Sequence, residues 1–515
     1  MRARMLARIF SAALWGVEAL RVEVEVDNSP GAFLTRVVGL PDAAVRESLH
    51  RVSTALQNAG FRAPSGRTTI NLAPAALRKE GPSFDLPIAL AVLGATDQMG
   101  SPHTEDFWAL GELALSGELR PVRGVLPAVI EAKRQRAKHL LLPAANASEA
   151  AVIGGIRIHP ARSLAEAAAF LRDPEASPQP DSSNEPSALK QPPELDFADV
   201  KGQLAAKRAL EIAAAGGHNV LLIGPPGSGK SMLAQRIPTI FPSMTLDESI
   251  EATRIHSVAG LLPSGVGLLR QRPFRAPHHS TSDAGLVGGG PRLLPGEVSL
   301  AHHGVLFLDE LPEFGRNALE ALRQPLEDGR LTLSRAAGTV TFPASFMLVA
   351  AMNPSPTGGF DDAARGKCTP AAMRRYLNRI SGPLLDRIDL HVEVPAVDRQ
   401  LLLQSEPAES SAAIRSRVEL ARANQTQRLS SGRRKIHNNA RMGPREIARF
   451  CILSPTCGTF LATALSELGL SARAFHRILK VARTIADLDD RGELREEDLA
   501  EAIGFRSLDR RIWGE

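Results

Sequence analysis

The stretch GPPGSGKS occupies residues 224–231, between the apolar run HNVLLI and the helical pattern MLAQRI. It matches G-x-x-x-x-G-K-[ST], the phosphate-binding loop (P-loop) whose backbone N–H groups cradle phosphates between a strand and a helix. Lys230 is expected to reach the β- and γ-phosphates of ATP, and Ser231 to hold Mg²⁺. The predicted nucleotide-binding residues are the whole loop: Gly224, Pro225, Pro226, Gly227, Ser228, Gly229, Lys230 and Ser231. The sequence therefore predicts a nucleotide-binding α/β domain around this loop.

A second apolar run, VLFLDE at residues 305–310, ends in two acidic residues. A buried strand delivers the side chains that follow it to the carboxyl edge of a parallel sheet, where the P-loop also lies. Asp309 is expected to hold Mg²⁺ through water, and Glu310 to polarise the attacking water. The alternative is an acidic pair that only caps the next helix, which the preceding P-loop disfavours.

Two further polar residues follow apolar segments later in the chain. Asn353 ends the run in AAMNP, where its amide would orient the water and sense the γ-phosphate. Arg387 lies in SGPLLDRIDL, and a local salt bridge to Asp386 or Asp389 is the simplest interpretation of it in isolation.

The order of these motifs resembles that of an AAA+ ATPase, and LLDRID is similar to the arginine-finger segment of the magnesium-chelatase and MCM-helicase branch. The resemblance implies that Arg387 reaches the γ-phosphate in a neighbouring subunit, which requires a ring. It also implies that Arg473, in LSARAFHRILKVART, is the sensor-2 arginine that contacts ATP from a helical lid. Arg477 is the nearby alternative for this role. A purely structural role for Arg473, as a surface or helix-capping arginine, is the other alternative.

Changes in composition divide the chain into four parts, because 515 residues are too many for one core. Residues 173–196 are rich in Pro, Ser and acidic residues, so we predict a linker there. Residues 1–172 form an α+β part, and 197–395 alternate strands and helices as in a parallel sheet wrapped by helices. Helical patterns dominate 396–515. The predicted fold class is α/β, with an AAA+ core and a helical lid.

Composition indicates an ordinary globular protein, with 43% hydrophobic and 23% charged residues and a net charge of +5. The first 20 residues imitate a signal peptide, but Glu18 interrupts them and RVEVEVD follows with strand alternation, so we expect a folded strand. No apolar run reaches the roughly 18 residues of a membrane span. Three cysteines without a paired spacing suit a reducing cytoplasm.

Two inserts and a basic segment indicate which kind of macromolecule the protein binds. The Gly-rich stretch FRAPHHSTSDAGLVGGGPRLLPGEVSLAHHG resembles the helix-2 insertion of the chelatase and MCM branch, which faces the pore of the ring. Residues 329–344 predict a β-hairpin with Arg335 at its tip, where the MCM-type hairpin carries a basic DNA contact. Residues 413–449 carry ten Lys or Arg against two acids. That segment predicts a DNA-binding basic surface, with solvated helix faces as the alternative.

The stretch RKEGPSFDLPIALAVL, residues 78–93, resembles the segment around the nucleophilic serine of Lon-type proteases, with Ser83 at the nucleophile position. A Ser–Lys dyad needs a lysine to take the serine proton. The place that matches the family's lysine holds Val125 or Leu126. We therefore expect a Lon-like fold without the dyad, in which Ser83 caps the following helix.

Together these parts resemble the ComM (YifB) family of magnesium-chelatase-like AAA+ proteins. The resemblance rests on VVGLPDAAVRESLHRV, APHHSTSDAGLVGGG, LPGEVSLAHHGVLFLDELPEF, MNPSP and NRISGPLLDRIDL. It implies a hexameric ATP- and Mg²⁺-dependent motor that drives branch migration of DNA during natural transformation. The alternatives are a motor subunit of a magnesium chelatase, a Lon-like ATP-dependent protease, and a nucleotide-controlled scaffold.

Overall fold

The computed structural model describes residues 5–99, 104–179, 195–290, 293–335, 338–360, 367–396, 408–430, 436–468, 472–506 and 508. The chain divides into two compact units. The first comprises residues 1–190, 249–269 and 293–295, and the second comprises residues 191–248, 270–292 and 296–515. The division into parts at residues 172, 196 and 395 stays a prediction.

The strands of the first 190 residues have the following bounds: β1 (Met5–Trp15), β2 (Glu18–Ser29), β3 (Leu34–Val38), β4 (Arg67–Ala73), β5 (Phe107–Ala109), β6 (Glu112–Leu113), β7 (Leu119–Arg120), β8 (His139–Pro143) and β9 (Arg157–Ala161). Seven of them form one mixed sheet in the order β3-β4-β2-β1-β5-β8-β9. The strand expected in place of a signal peptide is confirmed, because β1 pairs antiparallel with β2 over its whole length. In β2 the alternate residues Val22, Val24 and Val26 are fully buried.

Five helices accompany this sheet: α1 (Ala43–Asn58), α2 (Asp85–Ala95), α3 (Val125–Arg134), α4 (Ala147–Ala151) and α5 (Leu164–Arg172). Every residue of α2 is buried, which agrees with its apolar sequence. The prediction that Ser83 caps α2 is wrong. Pro82 starts a 3₁₀ turn, Pro82–Phe84, so the helix begins at Asp85 without a side-chain cap.

The remaining strands are β10 (Val220–Ile223), β11 (Phe274–Arg275), β12 (Gly288–Gly289), β13 (Leu294–Pro295), β14 (Val305–Leu308), β15 (Arg330–Arg335), β16 (Gly338–Pro343), β17 (Met347–Met352) and β18 (Leu390–Glu393). In the second unit, five of them form a parallel sheet in the order β11-β14-β17-β10-β18. The predicted parallel sheet is therefore confirmed. Alternate residues of β10 and β14 enter two separate apolar cores, one on each face, and this explains their continuous apolar runs.

The remaining helices are α6 (Leu204–Gly216), α7 (Lys230–Ile240), α8 (Leu246–Ala259), α9 (Asp283–Val287), α10 (Glu297–Leu300), α11 (Arg316–Ala321), α12 (Arg323–Asp328), α13 (Pro370–Leu377), α14 (Gly382–Leu385), α15 (Ser411–Leu429), α16 (Pro444–Phe450), α17 (Pro455–Leu468), α18 (Ala472–Leu488) and α19 (Glu496–Gly504). The helical patterns near the carboxyl terminus are confirmed as α15 and α18. Ile414 of α15 and Ile478 of α18 share an apolar core with Val220 of β10. These helices therefore pack on the sheet that carries the P-loop.

All three cysteines, Cys368, Cys451 and Cys457, are free and buried. Burial raises the pKa of the Cys451 thiol to about 11. In the part of the chain that the structure describes, no helix combines the length and the apolar character that crossing a membrane demands.

Candidate nucleotide-binding site

Three neighbouring strands end at one edge of the parallel sheet, and each is followed by predicted site residues. The P-loop follows β10, Asp309 and Glu310 follow β14, and Asn353 follows β17. Because β17 lies between β10 and β14 and all three are parallel, their carboxyl ends are adjacent. The sheet topology thus brings together residues that are far apart in sequence.

The glycines of the P-loop allow a backbone path that other residues would obstruct. Gly227 and Gly229 have left-handed φ values of +76° and +91°. At Gly224 a Cβ atom would lie 2.1 Å from the carbonyl oxygen of Val394. Helix α7 begins at Lys230, directly after Gly229, and has no side-chain cap. Its first N–H groups are therefore suited to bind an anion.

Lys230 is buried, and its ammonium group is held by neutral oxygen atoms. Nζ donates hydrogen bonds to the Gly224 carbonyl at 2.7 Å, the Pro225 carbonyl at 2.9 Å and Asn353 Oδ1 at 3.2 Å. Burial lowers the pKa of Lys230, and the charge of Asp309 opposes that shift. A phosphate oxygen would be a stronger acceptor than any of these three groups.

Ser231 and Asp309 lie in direct contact, since Ser231 Oγ donates to Asp309 Oδ2 at 2.6 Å. A hydroxyl oxygen beside a carboxylate fits Mg²⁺, which prefers oxygen ligands and keeps several waters. Ser228 Oγ is buried, and no described residue forms a hydrogen bond with it. This orphaned hydroxyl inside the loop also agrees with a polar ligand there.

Glu310 has an unusual backbone and an unforeseen partner. Its φ of +53° lies in the left-handed region, and its backbone N–H donates to Asp309 Oδ1 at 3.0 Å. Its side chain is 56% exposed, with Oε2 3.1 Å from His279 Nδ1. The sequence did not indicate this contact, because the adjacent histidines of the Gly-rich insert carry no spacing that identifies a partner.

A cleft of about 520 Å³ adjoins Glu310 and Asn353. It is lined by Glu310, Glu313, Asn353, Ser355, Pro356, Ala372, Arg375, Tyr376 and Arg379. Tyr376 Oη donates to the Asn353 carbonyl at 3.1 Å, and burial raises the pKa of Tyr376 to about 12. Sequence reasoning missed the contribution of α13, which supplies Tyr376 next to the predicted sensor residue.

Arg387 is held away from these groups, close to the amino end of β10. Its Nη1 donates to the Pro383 carbonyl at 2.7 Å, and its Nη2 pairs with Glu327. The Asn219 side chain binds the Arg387 carbonyl at 2.9 Å, and Asn219 directly precedes β10. The simplest interpretation from sequence, a salt bridge to a flanking aspartate, is therefore wrong. After the turn that follows α14, the Arg387 side chain meets Glu327 of α12.

The two flanking aspartates pair instead with the two sensor-2 candidates. Arg473 Nη1 lies 3.6 Å from Asp386 Oδ2, and Arg477 pairs with the buried Asp389. The Arg473 side chain is 71% exposed, whereas that of Arg477 is 22% exposed. The structure therefore brings Arg473 next to the Arg387 segment and gives Arg477 a buried ion pair.

The predicted hairpin is confirmed, with β15 and β16 antiparallel and Arg335 paired with Gly338 at the last register position. Hydroxyl groups face each other across it, as in Ser334 and Thr339 at 3.1 Å. Arg335 ends the first strand at the tip. Its side chain, like residues 433–435 of the basic segment, lies outside the described residues.

The basic segment offers less free positive surface than its composition predicts. Arg417 Nε lies 2.6 Å from a carboxylate oxygen of Glu211, and Arg428 Nη2 lies 2.6 Å from a carboxylate oxygen of the buried Asp487. Burial lowers the pKa of Arg422 to about 10. These arginines stabilise the helical region, and the prediction of a basic surface is wrong for them.

At the Lon-like stretch, Val125 and Leu126 are fully buried in α3. A lysine that sequence reasoning passed over, Lys79, is also fully buried, four residues before Ser83. Its Nζ donates to the carbonyls of Gly39, at 3.1 Å, and Pro74, and burial lowers its pKa. Within the described residues Lys79 forms no hydrogen bond with Ser83, so no Ser–Lys pair is assembled.

The fold and the site define a P-loop AAA+ protein of the magnesium-chelatase type. Three family models match: Magnesium chelatase, subunit ChlI, over residues 196–402; Subunit ChlI of Mg-chelatase, over residues 23–146; and Magnesium chelatase, subunit ChlI C-terminal, over residues 408–506. The chain belongs to the ComM (YifB) family within this class.

Relatives of that family align over nearly the whole chain. Competence protein ComM of Haemophilus influenzae is 46% identical over 508 residues, which cover 98% of each chain. YifB of Escherichia coli is 44% identical over 506 residues, again 98% of each. The magnesium-chelatase 67 kDa subunit of Chlorobaculum parvum is 29% identical over 165 residues, 31% of this chain and 24% of that one.

Proposed function

We propose that this protein is a hexameric, ATP-driven ring motor on DNA. It promotes branch migration and so extends heteroduplex when incoming DNA recombines during natural transformation. Residues 197–395 are its ATPase core, residues 396–515 its helical lid and residues 173–196 a linker. Residues 1–172 have a Lon-like fold without protease activity.

One observation carries the motor proposal. The P-loop lies at the carboxyl end of β10, while Arg387 is bound by Asn219 at the amino end of the same strand. A four-residue strand separates the two by about 13 Å. Arg387 is therefore poorly placed to act on the nucleotide of its own chain, and a second copy would bring it to a neighbouring P-loop. Closed rings satisfy this head-to-tail contact for every copy.

The residues at the P-loop end have complementary roles. Lys230 exchanges its carbonyl partners for phosphate oxygens, and the N–H groups that begin α7 bind the same phosphates. Ser231 and Asp309 would hold Mg²⁺, which would supply positive charge next to the phosphates of ATP. Glu310 accepts a proton from the attacking water, and Asn353 orients that water. Glu310 must first leave His279, which competes for its Oε2.

The residues near the amino end of β10 complete the nucleotide site of the neighbouring subunit. Arg387 supplies positive charge where the transition state gains negative charge, an effect of about 10³-fold or more in rate for such arginines. Arg473 lies 3.6 Å from Asp386, the residue before Arg387, and in this proposal it approaches the same nucleotide. The cleft beside Glu310 carries two acidic residues, Glu310 and Glu313, and two arginines, Arg375 and Arg379. Glu313 lies 2.6 Å from Arg379, so the proposal rests on the position of Arg387 and not on the charge of the cleft.

DNA as the partner is supported by two findings. The relative from Haemophilus influenzae is called a competence protein, and its alignment spans 98% of both chains. The first strand of the hairpin β15–β16 ends at Arg335, and a basic residue at the tip is expected of a loop that contacts a phosphate backbone. Cytoplasmic location follows from the proposed substrate.

The decisive experiment is ATP-dependent resolution of a synthetic four-way or three-stranded DNA junction. Wild type is expected to resolve the junction, and Glu310→Gln is expected to bind ATP without resolving it. Failure of the wild type to act on either junction, with ATP hydrolysis intact and indifferent to DNA, would contradict the proposal.

A chelatase motor subunit is the second candidate, because the matched family models carry that description. The negative outcome of the junction assay would favour it. Metal insertion into a porphyrin by this protein with a partner subunit would then be measured directly. Casein degradation that depends on Ser83 would instead favour the protease.

A further inference from the structure

The residue before the P-loop strand, Asn219, binds the arginine-finger segment through both its backbone and its side chain. Its Nδ2 donates to the Arg387 carbonyl at 2.9 Å, and its backbone N–H donates to Asp389 Oδ2 at 3.0 Å. Its carbonyl accepts from the N–H groups of Asp389 at 3.0 Å and Leu390 at 3.1 Å. Its Oδ1 accepts from Leu348 N at 2.9 Å. Every polar group of this one residue thus forms at least one hydrogen bond with this loop or with β17.

Asp389 anchors the other side of the same segment. It is 6% exposed, pairs with Arg477 of α18 and lies 3.5 Å from His218 Nδ1. Between the two anchors, the carbonyl of Ile388 accepts a hydrogen bond from Arg506 Nη1 at 2.6 Å. The backbone of the finger segment is therefore held at three consecutive residues.

The side chain of Arg387 is less completely bonded than its backbone: it is 15% exposed, and its Nε is buried without a hydrogen-bond partner among the described residues. Its contacts are with the Pro383 carbonyl and with Glu327, whose own side chain is 65% exposed. A fixed backbone that carries a side chain with exchangeable partners is the arrangement expected of a group that must reach a defined point on another subunit.

We propose that Asn219 and Asp389 are positioning residues for Arg387, which fix the finger segment so that it reaches the nucleotide of the neighbouring subunit. The inference rests on the proposed function, because it requires Arg387 to act between subunits. It goes further by assigning a role to two residues that act on the nucleotide site of the neighbouring subunit.

The variant Asn219→Asp isolates this role. An aspartate keeps the oxygen that accepts from Leu348 N but loses the amide donor to the Arg387 carbonyl. We expect kcat for ATP hydrolysis to fall about tenfold, the effect of one lost hydrogen bond, with nucleotide affinity within about twofold of wild type. Asn219→Ser is the second variant if the added carboxylate near Asp389 impairs folding. Asn424→Ala, which removes an exposed amide bound to Asp490 Oδ1, is the matched control and should hydrolyse ATP normally.

Mixed rings separate a role in the neighbour's site from a role in the chain's own site. Two differently tagged chains are co-expressed, and rings that contain both are purified. Arg387→Ala mixed with Lys230→Ala should regain hydrolysis, because an intact P-loop then meets an intact finger. The Asn219 variant should gain activity per ring when mixed with Lys230→Ala, whose fingers are sound. It should lose activity when mixed with Arg387→Ala, since neither chain then provides a well-placed finger.

The reverse pattern, a gain with Arg387→Ala and a loss with Lys230→Ala, would overturn the inference and assign Asn219 to its own P-loop. A loss in both mixtures would overturn it as well, because sound fingers would then have failed to rescue the variant. If the Arg387→Ala and Lys230→Ala pair itself shows no hydrolysis, the intersubunit arrangement behind both proposals fails. If the Arg387→Ala and Lys230→Ala pair recovers hydrolysis but the Asn219 variant shows either of the contrary patterns, only the inference about Asn219 and Asp389 fails.

Discussion

The two ends of strand β10 are built in opposite ways. At the carboxyl end, Lys230 is bound by three neutral oxygens, and Ser228 Oγ is buried without a partner among the described residues. At the amino end, Asn219 and Asp389 have their polar groups occupied by fixed protein partners. One end has capacity for a ligand, whereas the other end is complete without one.

In the proposed function, this difference distinguishes residues that bind the nucleotide from residues that position Arg387. A binding group needs partners that a ligand can replace at low cost, and neutral carbonyls meet that need better than carboxylates. A positioning group needs partners that do not exchange, and burial of an ion pair ensures this because separating the charges is costly. Substitutions at the two ends should therefore affect different quantities.

Lys230→Ala should have the largest effect. It removes the cation proposed to bind phosphate, so both ATP binding and hydrolysis should fall by more than about 100-fold. Nucleotide titration and a steady-state phosphate-release assay measure the two effects. Tight ATP binding by the alanine variant would remove the distinction between the ends of β10.

Arg387→Ala should leave ATP binding nearly unchanged and reduce kcat by about 10³-fold, as expected for an arginine that acts only on the transition state. The same assays measure it, with Arg473→Ala run in parallel as a weaker substitution. Full turnover by Arg387→Ala would eliminate its assignment as the finger.

Asp389→Asn should lower the free energy of unfolding more than it lowers the affinity for nucleotide. It removes the counter-charge of the partly buried Arg477, and breaking a buried ion pair in this way typically costs about 3 kcal/mol in free energy of unfolding. Urea denaturation with wild type as reference measures it. A loss below about 0.5 kcal/mol would mean that the pair is not an anchor.

The same carboxylate predicts a pH dependence. Burial alone would raise the pKa of Asp389, but the charges of Arg477, His218 and Lys480 outweigh it and hold that pKa well below its ordinary value. The stabilisation is therefore complete above the unfolded pKa of about 3.9 and is lost as pH falls below it. Between pH 5 and pH 3, wild type should lose more unfolding free energy than Asp389→Asn does; equal losses would contradict this.

Arg335→Ala should have the smallest effect on the nucleotide chemistry that depends on the two ends of β10. Basal ATP hydrolysis should stay within about twofold, and the slope of log affinity for DNA against log salt should fall by about one unit. Junction movement should be uncoupled from hydrolysis. Normal junction movement would exclude Arg335 from the DNA contact.

The sequence sufficed for features whose causes are local. The P-loop, the apolar strands β10, β14 and β17, the hairpin β15–β16 and the helices α15 and α18 lie where their patterns predict. Backbone geometry and hydrophobic periodicity determine such features within a few residues.

The sequence did not suffice to predict which residues, distant along the chain, pair with each other. Arg387 pairs with Glu327 rather than with a neighbouring aspartate, and Asn219 meets Asp389 across 170 positions. Arg428 pairs with Asp487 instead of facing solvent. Composition counts charges but does not say which of them the folded chain will bring together. The Ser83 cap failed for a local reason, since Pro82 moved the start of the helix.

The burial of all three cysteines has a practical consequence for observing the proposed motor. The native chain presents no accessible thiol to a maleimide reagent. A single cysteine at Ser334, which is exposed on the hairpin, would therefore become the sole target for a fluorophore. Energy transfer from that dye to a labelled DNA strand would then follow one hairpin through each round of hydrolysis.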